Sequence, residues 1–190
     1  MNHETAERLA RLNDYLAEAM KDPDKQSTVH RRLTGNDCHA HPEEGQVMQI
    51  LNRLFGQAEE INGHNRCPTY LYRWTIVKTR WGKVYLHKFI GDDWSLDLHD
   101  HPKRFISIGL RGSYLETRPD GQTRYRAPWM RTFPASHKHR ISTPWGTCWT
   151  LVIVLRQTRE WGFWHDGEFI RWDDYVNGHG GIADKMKGCD

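Results

Sequence analysis

The chain has 190 residues, 37% hydrophobic and 12% aromatic, enough for one domain with a core and extensions. Its net charge is +3 with both signs interspersed, which argues against nucleic-acid binding, and no apolar run approaches the roughly 20 residues that span a bilayer. Four widely spaced cysteines without a Cys-x-x-Cys pair read as reduced thiols, and Met1-Asn2-His3-Glu4 does not open a secretion signal, so a cytoplasmic location is expected.

Leu9, Leu12, Leu16 and Met20 recur at helical spacing, which predicts a helix from Glu4 to Met20 that Asp22-Pro23-Asp24 ends. Residues 24–41 are polar and read as a loop. Its Cys38-His39-Ala40-His41 has ligand types but no second pair at zinc-finger spacing. His41-Pro42-Glu43-Glu44 opens a second helix, and the stripe Val47, Ile50, Leu51, Leu54 and Phe55 carries it to about Glu60. Asn62-Gly63 then favours a turn.

From Tyr70 the period changes to that of strands. Tyr70–Val77 and Val84–Phe89 flank a turn at Trp81-Gly82-Lys83. Phe105, Ile106, Ile108 and Leu110 precede a turn at Gly112, and Tyr114–Thr117 continues as strand. Arg118-Pro119-Asp120-Gly121 and Thr143-Pro144-Trp145-Gly146 are further turns, and Cys148–Leu155 is long enough for one buried strand. The tryptophan-rich residues 161–175 predict a last hairpin or a covering segment, and Asn177-Gly178-His179-Gly180-Gly181 a flexible tail. Nine tryptophans, some beside arginine, could stack on bases, but large aromatics filling a small barrel explain them better. The organisation expected is a helical extension (1–67), a β domain (68–175) and a tail (176–190). Short strands divided by Gly, Pro and Asp turns indicate an antiparallel sandwich or barrel.

The chemistry sits in two histidine clusters, Leu98-His99-Asp100-His101-Pro102 and His137-Lys138-His139-Arg140. Residues two apart on a strand share a face, so His99 and His101 can aim both imidazoles at one point. A third imidazole from another strand would complete one face of a metal's coordination sphere; iron, zinc, copper and nickel all accept such ligands. Mid-strand His87 either faces the same cavity or is exposed. Glu116 could be a fourth ligand or a base, though an outward rim position is the simpler account. Neither a Gly-rich phosphate loop nor a Gly-x-Ser-x-Gly elbow is present.

These residues resemble the cupin superfamily. His99, His101 and Gly112 fit its first motif, and Pro134, Ser136 and His139 fit the second, with Ser in place of Gly. Phe105 and Ile106 stand where the motif's Glu would fall, which moves the ligand set toward three histidines. That variant is similar to the cupin thiol dioxygenases, matched here by His99-Asp100-His101, Leu110-Arg111-Gly112, Glu116-Thr117 and His139-Arg140-Ile141. With Trp161-Gly162-Phe163-Trp164 included, the whole chain resembles uncharacterised cupin-type proteins of bacteria and their phages.

The resemblance implies a mainly-β, cupin-like double-stranded β-helix (a jelly-roll barrel) preceded by the two N-terminal helices. It implies His99, His101 and His139 as metal ligands, with His137, Glu116 and His87 behind them or as an alternative ligand. Arg73 is the counterpart of an arginine that holds a substrate carboxylate. Iron(II) is the favoured metal, with zinc, manganese or nickel as alternatives. The activity implied is that of a non-haem iron oxygenase acting on a small polar or carboxylate-bearing substrate. A non-redox isomerase or epimerase, or a non-catalytic metal- or ligand-binding cupin, are the other readings. A small-molecule partner is expected, neither membrane nor nucleic acid, and the N-terminal helices could serve a homo-oligomer.

Overall fold

The computed structural model describes residues 42–62 and 68–177. The expected helix over Glu4–Met20, the 24–41 loop with Cys38, His39 and His41, and the tail beyond Asn177 lie outside the described residues. The chain divides after Gly56 into two compact units.

In the first unit, helix α1 spans Pro42–Phe55. Proline suits its first turn because its fixed φ is already helical and its missing N–H would be unsatisfied there anyway. The helix stops at Phe55, short of the expected Glu60, because Gly56 takes a left-handed φ of 85° and its N–H caps the Asn52 carbonyl at 3.0 Å. Glu59–Asn62, the predicted last turn, is instead strand β1 and precedes residue 68, where the sequence places the start of the β domain.

The second unit is β throughout, apart from a short final helix. Its other strands are β2 (Thr69–Lys78), β3 (Lys83–Phe89), β4 (Leu98–His99), β5 (Lys103–Arg111) and β6 (Ser113–Arg118). There follow β7 (Gly121–Arg126), β8 (Trp129–Phe133), β9 (Arg140–Ser142), β10 (Cys148–Gln157), β11 (Gly162–His165) and β12 (Glu168–Arg171), then helix α2 (Trp172–Asn177). The predicted strands and turns from Tyr70 to Leu155 all fall within this order, and the tryptophan-rich segment forms the β11–β12 hairpin.

One layer is a six-stranded sheet in the order β1-β2-β3-β10-β5-β8. The other consists of two three-stranded sheets, β12-β11-β4 and β7-β6-β9, linked by a bridge between His99 and His139. The pairings are nested: β6 with β7, β5 with β8, β4 with β9 through that bridge, and β3 with β10. A long hairpin has been rolled so that its two arms alternate between layers, which is a double-stranded β-helix, or jelly roll. Inward residues of the two layers meet in the core: Leu71, Phe89, Tyr114, Tyr125, Ile141 and Cys148 fill one end. Phe105, Phe133 and Val152 form a second cluster with Tyr85 and Val154 against it.

Gly112 turns the chain between β5 and β6 at φ 80°, and a Cβ there would lie 2.2 Å from the Thr147 carbonyl oxygen. Both the conformation and the close approach require glycine. Gly112→Ala is therefore expected to destabilise the barrel by more than ~1 kcal/mol. Gly45→Ala, where nothing lies within 4 Å, is the control, with chemical denaturation as the measurement.

Candidate metal centre

Strand β4 and the backbone at residue 139 present the histidines. His99 N–H donates to the His139 carbonyl and His139 N–H returns the bond to His99, each at 2.9 Å. Residues opposed in such a reciprocal antiparallel pair point their side chains to the same face. His101, two residues along, shares that face. Ligand nitrogens of His99, His101 and His139 all lie within 4.8 Å of one another.

His139 has both ring nitrogens engaged. Nδ1 is 2.7 Å from Glu116 Oε1, and Nε2 is 2.8 Å from Nε2 of His101. Glu116 Oε1 also sits 2.9 Å from His137 Nε2. Burial alone would push the Glu116 carboxyl up, but its hydrogen bonds to the two imidazoles outweigh that and hold it at about 2. An ionised carboxylate only accepts, so Nδ1 of His139 and Nε2 of His137 carry the protons. With Nδ1 held by Glu116, Nε2 is the His139 nitrogen that faces His101 and the one placed for a metal ion. His99 and His101 are held well below the ordinary imidazole value, by burial first and then by the neighbouring rings, so both are neutral.

This donor set fits a transition-metal ion: three imidazoles converge, one of them oriented by a buried carboxylate. A second group, Glu116, His137 and His139, also has its donor atoms within 4.8 Å of one another. The Glu116 oxygen within it is already bonded to both imidazoles, so Glu116 is the shared hydrogen-bond partner of His137 and His139. Glu116 is no rim residue: it is fully buried, because pairing with Ile141 of β9 and Thr123 of β7 turns it inward.

Asp100, between His99 and His101, points the opposite way and is fully buried. Its carboxylate accepts from Arg159 Nη1 at 2.7 Å, Gly162 N–H at 3.0 Å and Trp164 Nε1 at 3.2 Å. These bonds pin β4 to the β11 hairpin. On the inner side Asp93 Oδ2 accepts from Ile141 N–H at 2.7 Å and lies 3.7 Å from His99 Nδ1. Burial raises the Asp93 carboxyl to about 6 against the pull of that N–H. Sequence reading missed Asp93, Asp100 and Arg159; the buried carboxylate inside His-x-His was the one local clue.

The three histidines line a cavity of about 470 Å³ in the barrel, and Arg73 and His87 line it too. His87 is buried, not exposed, and accepts a 3.2 Å hydrogen bond from Arg73 Nε. Burial, then the Arg73 charge, keeps His87 neutral. The Arg73 guanidinium also lies 3.6 Å from Glu59 and 5.0 Å from the Tyr85 ring centre. His137 stands outside this cavity, on a shallow pocket with Arg118, Pro134 and Lys138.

Nested strand pairing, with the histidine trio where β4 meets the segment entering β9, decides the architecture. The fold is that of a cupin. Solved structures similar to this chain include a cupin domain from Bordetella pertussis Tohama I, at 14% identity, covering 52% of this chain and 99% of that one, with TM-score 0.39. The polyketide cyclase RemF from Streptomyces resistomycificus is similar at 15% identity over 64% of this chain and 87% of its own, with TM-score 0.48. KdgF from Halomonas sp. is similar at 12% identity over 53% and 89%, with TM-score 0.43. No protein-family model and no curated protein matches the sequence. No helix among the described residues is long and apolar enough to cross a membrane.

Removing Arg159 would leave the Asp100 carboxylate buried with only two donors. Arg159 is one-third exposed, which screens the pair. Arg159→Met is therefore expected to cost ~2 kcal/mol, below the range for a fully buried pair. Urea denaturation measures it, and an unchanged midpoint would show that Gly162 and Trp164 hold β4 without the guanidinium.

Proposed function

We propose that this cupin is a metal-dependent enzyme, a non-haem iron oxygenase acting on a small carboxylate-bearing substrate. One observation carries the reading: three imidazoles converge on the wall of a cavity that a guanidinium also lines. His99, His101 and His139 would hold the ion and leave its remaining positions to reactants. When bound, iron(II) supplies a Lewis acid and an electron source toward dioxygen. The chain supplies the rest. Glu116 fixes the His139 tautomer, Asp100 and Arg159 hold β4 in place, and Arg73 is the substrate's anion partner. Trp94, Trp161 and Phe163 also line the cavity, with the Phe163 ring against that of His99.

Protein purified without chelator should carry close to one first-row metal ion per chain, as a single three-imidazole site requires. His139→Ala should retain little of it. Elemental analysis finding a His99/His101/His139 triple alanine variant as metal-loaded as wild type would place the site elsewhere. Glu116→Gln keeps the side chain's shape but removes its charge. It is expected to weaken metal affinity about 10- to 100-fold, read by competition with a chromophoric chelator. Oxygen uptake by the iron-loaded protein tests the redox assignment. Metal bound with no uptake across a panel of carboxylates would favour the non-redox isomerase or epimerase reading.

A further inference from the structure

The cavity's inner surface is not uniformly apolar, and three of its polar residues are aligned. Strand register sets Arg73 of β2 opposite His87 of β3, and His87 opposite Thr150 of β10. Neighbouring strands lie about 4.8 Å apart, so the three residues form one row across the sheet, and all three line the cavity. His87 spends its Nε2 lone pair on Arg73 Nε. The only other partner of the guanidinium among the described residues, apart from the Tyr85 ring, is Glu59, at a long 3.6 Å and mostly exposed. Thr150 is 1% exposed, and its hydroxyl has no hydrogen-bond partner among the described residues. A hydroxyl kept inside a core strand without a partner is costly, and valine would fill the same shape without that cost. A ligand acceptor accounts for it.

The next rows on the same face are mostly apolar, with Ser107 of β5 beside Val152. Tyr85 is paired with Val152, and Phe105 is paired with Val154. Phe105 in turn meets the His101 ring edge-on, with centroids 4.7 Å apart. From the polar row to the histidines the wall is therefore mainly aromatic and aliphatic, with Ser107 and Lys103 also on the lining. A single guanidinium, partly offset by Glu59, suits one negative charge better than two.

We propose that the cavity takes an amphipathic monocarboxylate, its head held by Arg73 and Thr150 and its aryl or alkyl body lying along Tyr85, Val152 and Phe105 toward the histidines. This deepens the enzyme reading above by naming its substrate class, and it replaces a small polar substrate with one whose body is apolar. His87 is a positioning residue that orients the guanidinium; Thr150 is a binding residue for the carboxylate.

The test is calorimetric titration of the full chain, metal-free and metal-loaded, with 3-phenylpropionate, 3-phenylpropan-1-ol, 3-phenylpropylamine and acetate. The expected order is phenylpropionate roughly tenfold tighter than the alcohol, with no measurable binding of the amine or of acetate. Thr150→Val, which preserves side-chain shape, should weaken phenylpropionate several-fold and leave the alcohol unchanged. Arg73→Met should remove the acid's advantage altogether. Equal binding of acid and alcohol, preference for the amine, acetate binding as well as phenylpropionate, or no binding at all would each overturn the proposal. So would a Thr150→Val variant that melts like wild type and binds the acid equally well. Because the metal-free protein is titrated separately, loss of the metal reading and loss of this ligand class give different results.

Discussion

The reciprocal backbone pair between His99 and His139 is the contact on which both the layer and the site depend. Without it the second face of the barrel would be two separate three-stranded sheets, each with an open edge at this point. The same two hydrogen bonds that close the layer put both imidazoles on its inner face. The placement of these imidazoles is thus not added to the fold by side-chain adjustment. It is the register of the fold, and a slip of one residue would send the rings outward.

Two buried carboxylates secure that register from opposite sides. Asp100 works on the outer face of β4, where Arg159, Gly162 and Trp164 donate to it. Glu116 works on the inner face, where His137 and His139 donate to it. An ionised carboxylate inside a protein is expensive unless its lone pairs are filled, so each of these acids demands its partners in one arrangement. The cost of burying charge becomes a constraint on geometry. It acts where imperfect positioning would matter most, one residue away from a ligand or directly against one.

What could be read from the sequence was what local signals encode. The His-x-His spacing, the turn at Arg118-Pro119-Asp120-Gly121 and the apolar run from Cys148 each depend on neighbouring residues; the strands and turns indicated a sandwich or barrel, and the resemblance of the motifs narrowed it to a jelly roll. The end of α1 was also local, but the stripe through Phe55 concealed it: Gly56 was a cap signal that the apolar period overrode. Glu116 was misjudged for a different reason. Its inward direction is set by pairing with Ile141 and Thr123, and no pattern along β6 states which face will be covered. The Asp100–Arg159 pair and the Arg73–His87–Thr150 row are likewise products of strand order. They join residues far apart in sequence that carry no mutual spacing to recognise.

The nested pairing has a kinetic meaning. β6 and β7 are joined by a tight turn and can meet early, while β3 and β10 must close a loop that contains most of the barrel. Loop entropy is lost before those outer contacts form, which is the property that makes such topologies slow to fold. His101 lies before this inner hairpin and His139 after it, and they meet only once the hairpin has rolled. A chain that has merely collapsed, or has formed only its local hairpins, has no such site. Metal uptake through these three histidines would therefore report the completion of rolling, separating finished barrels from intermediates that share nearly all of their strands.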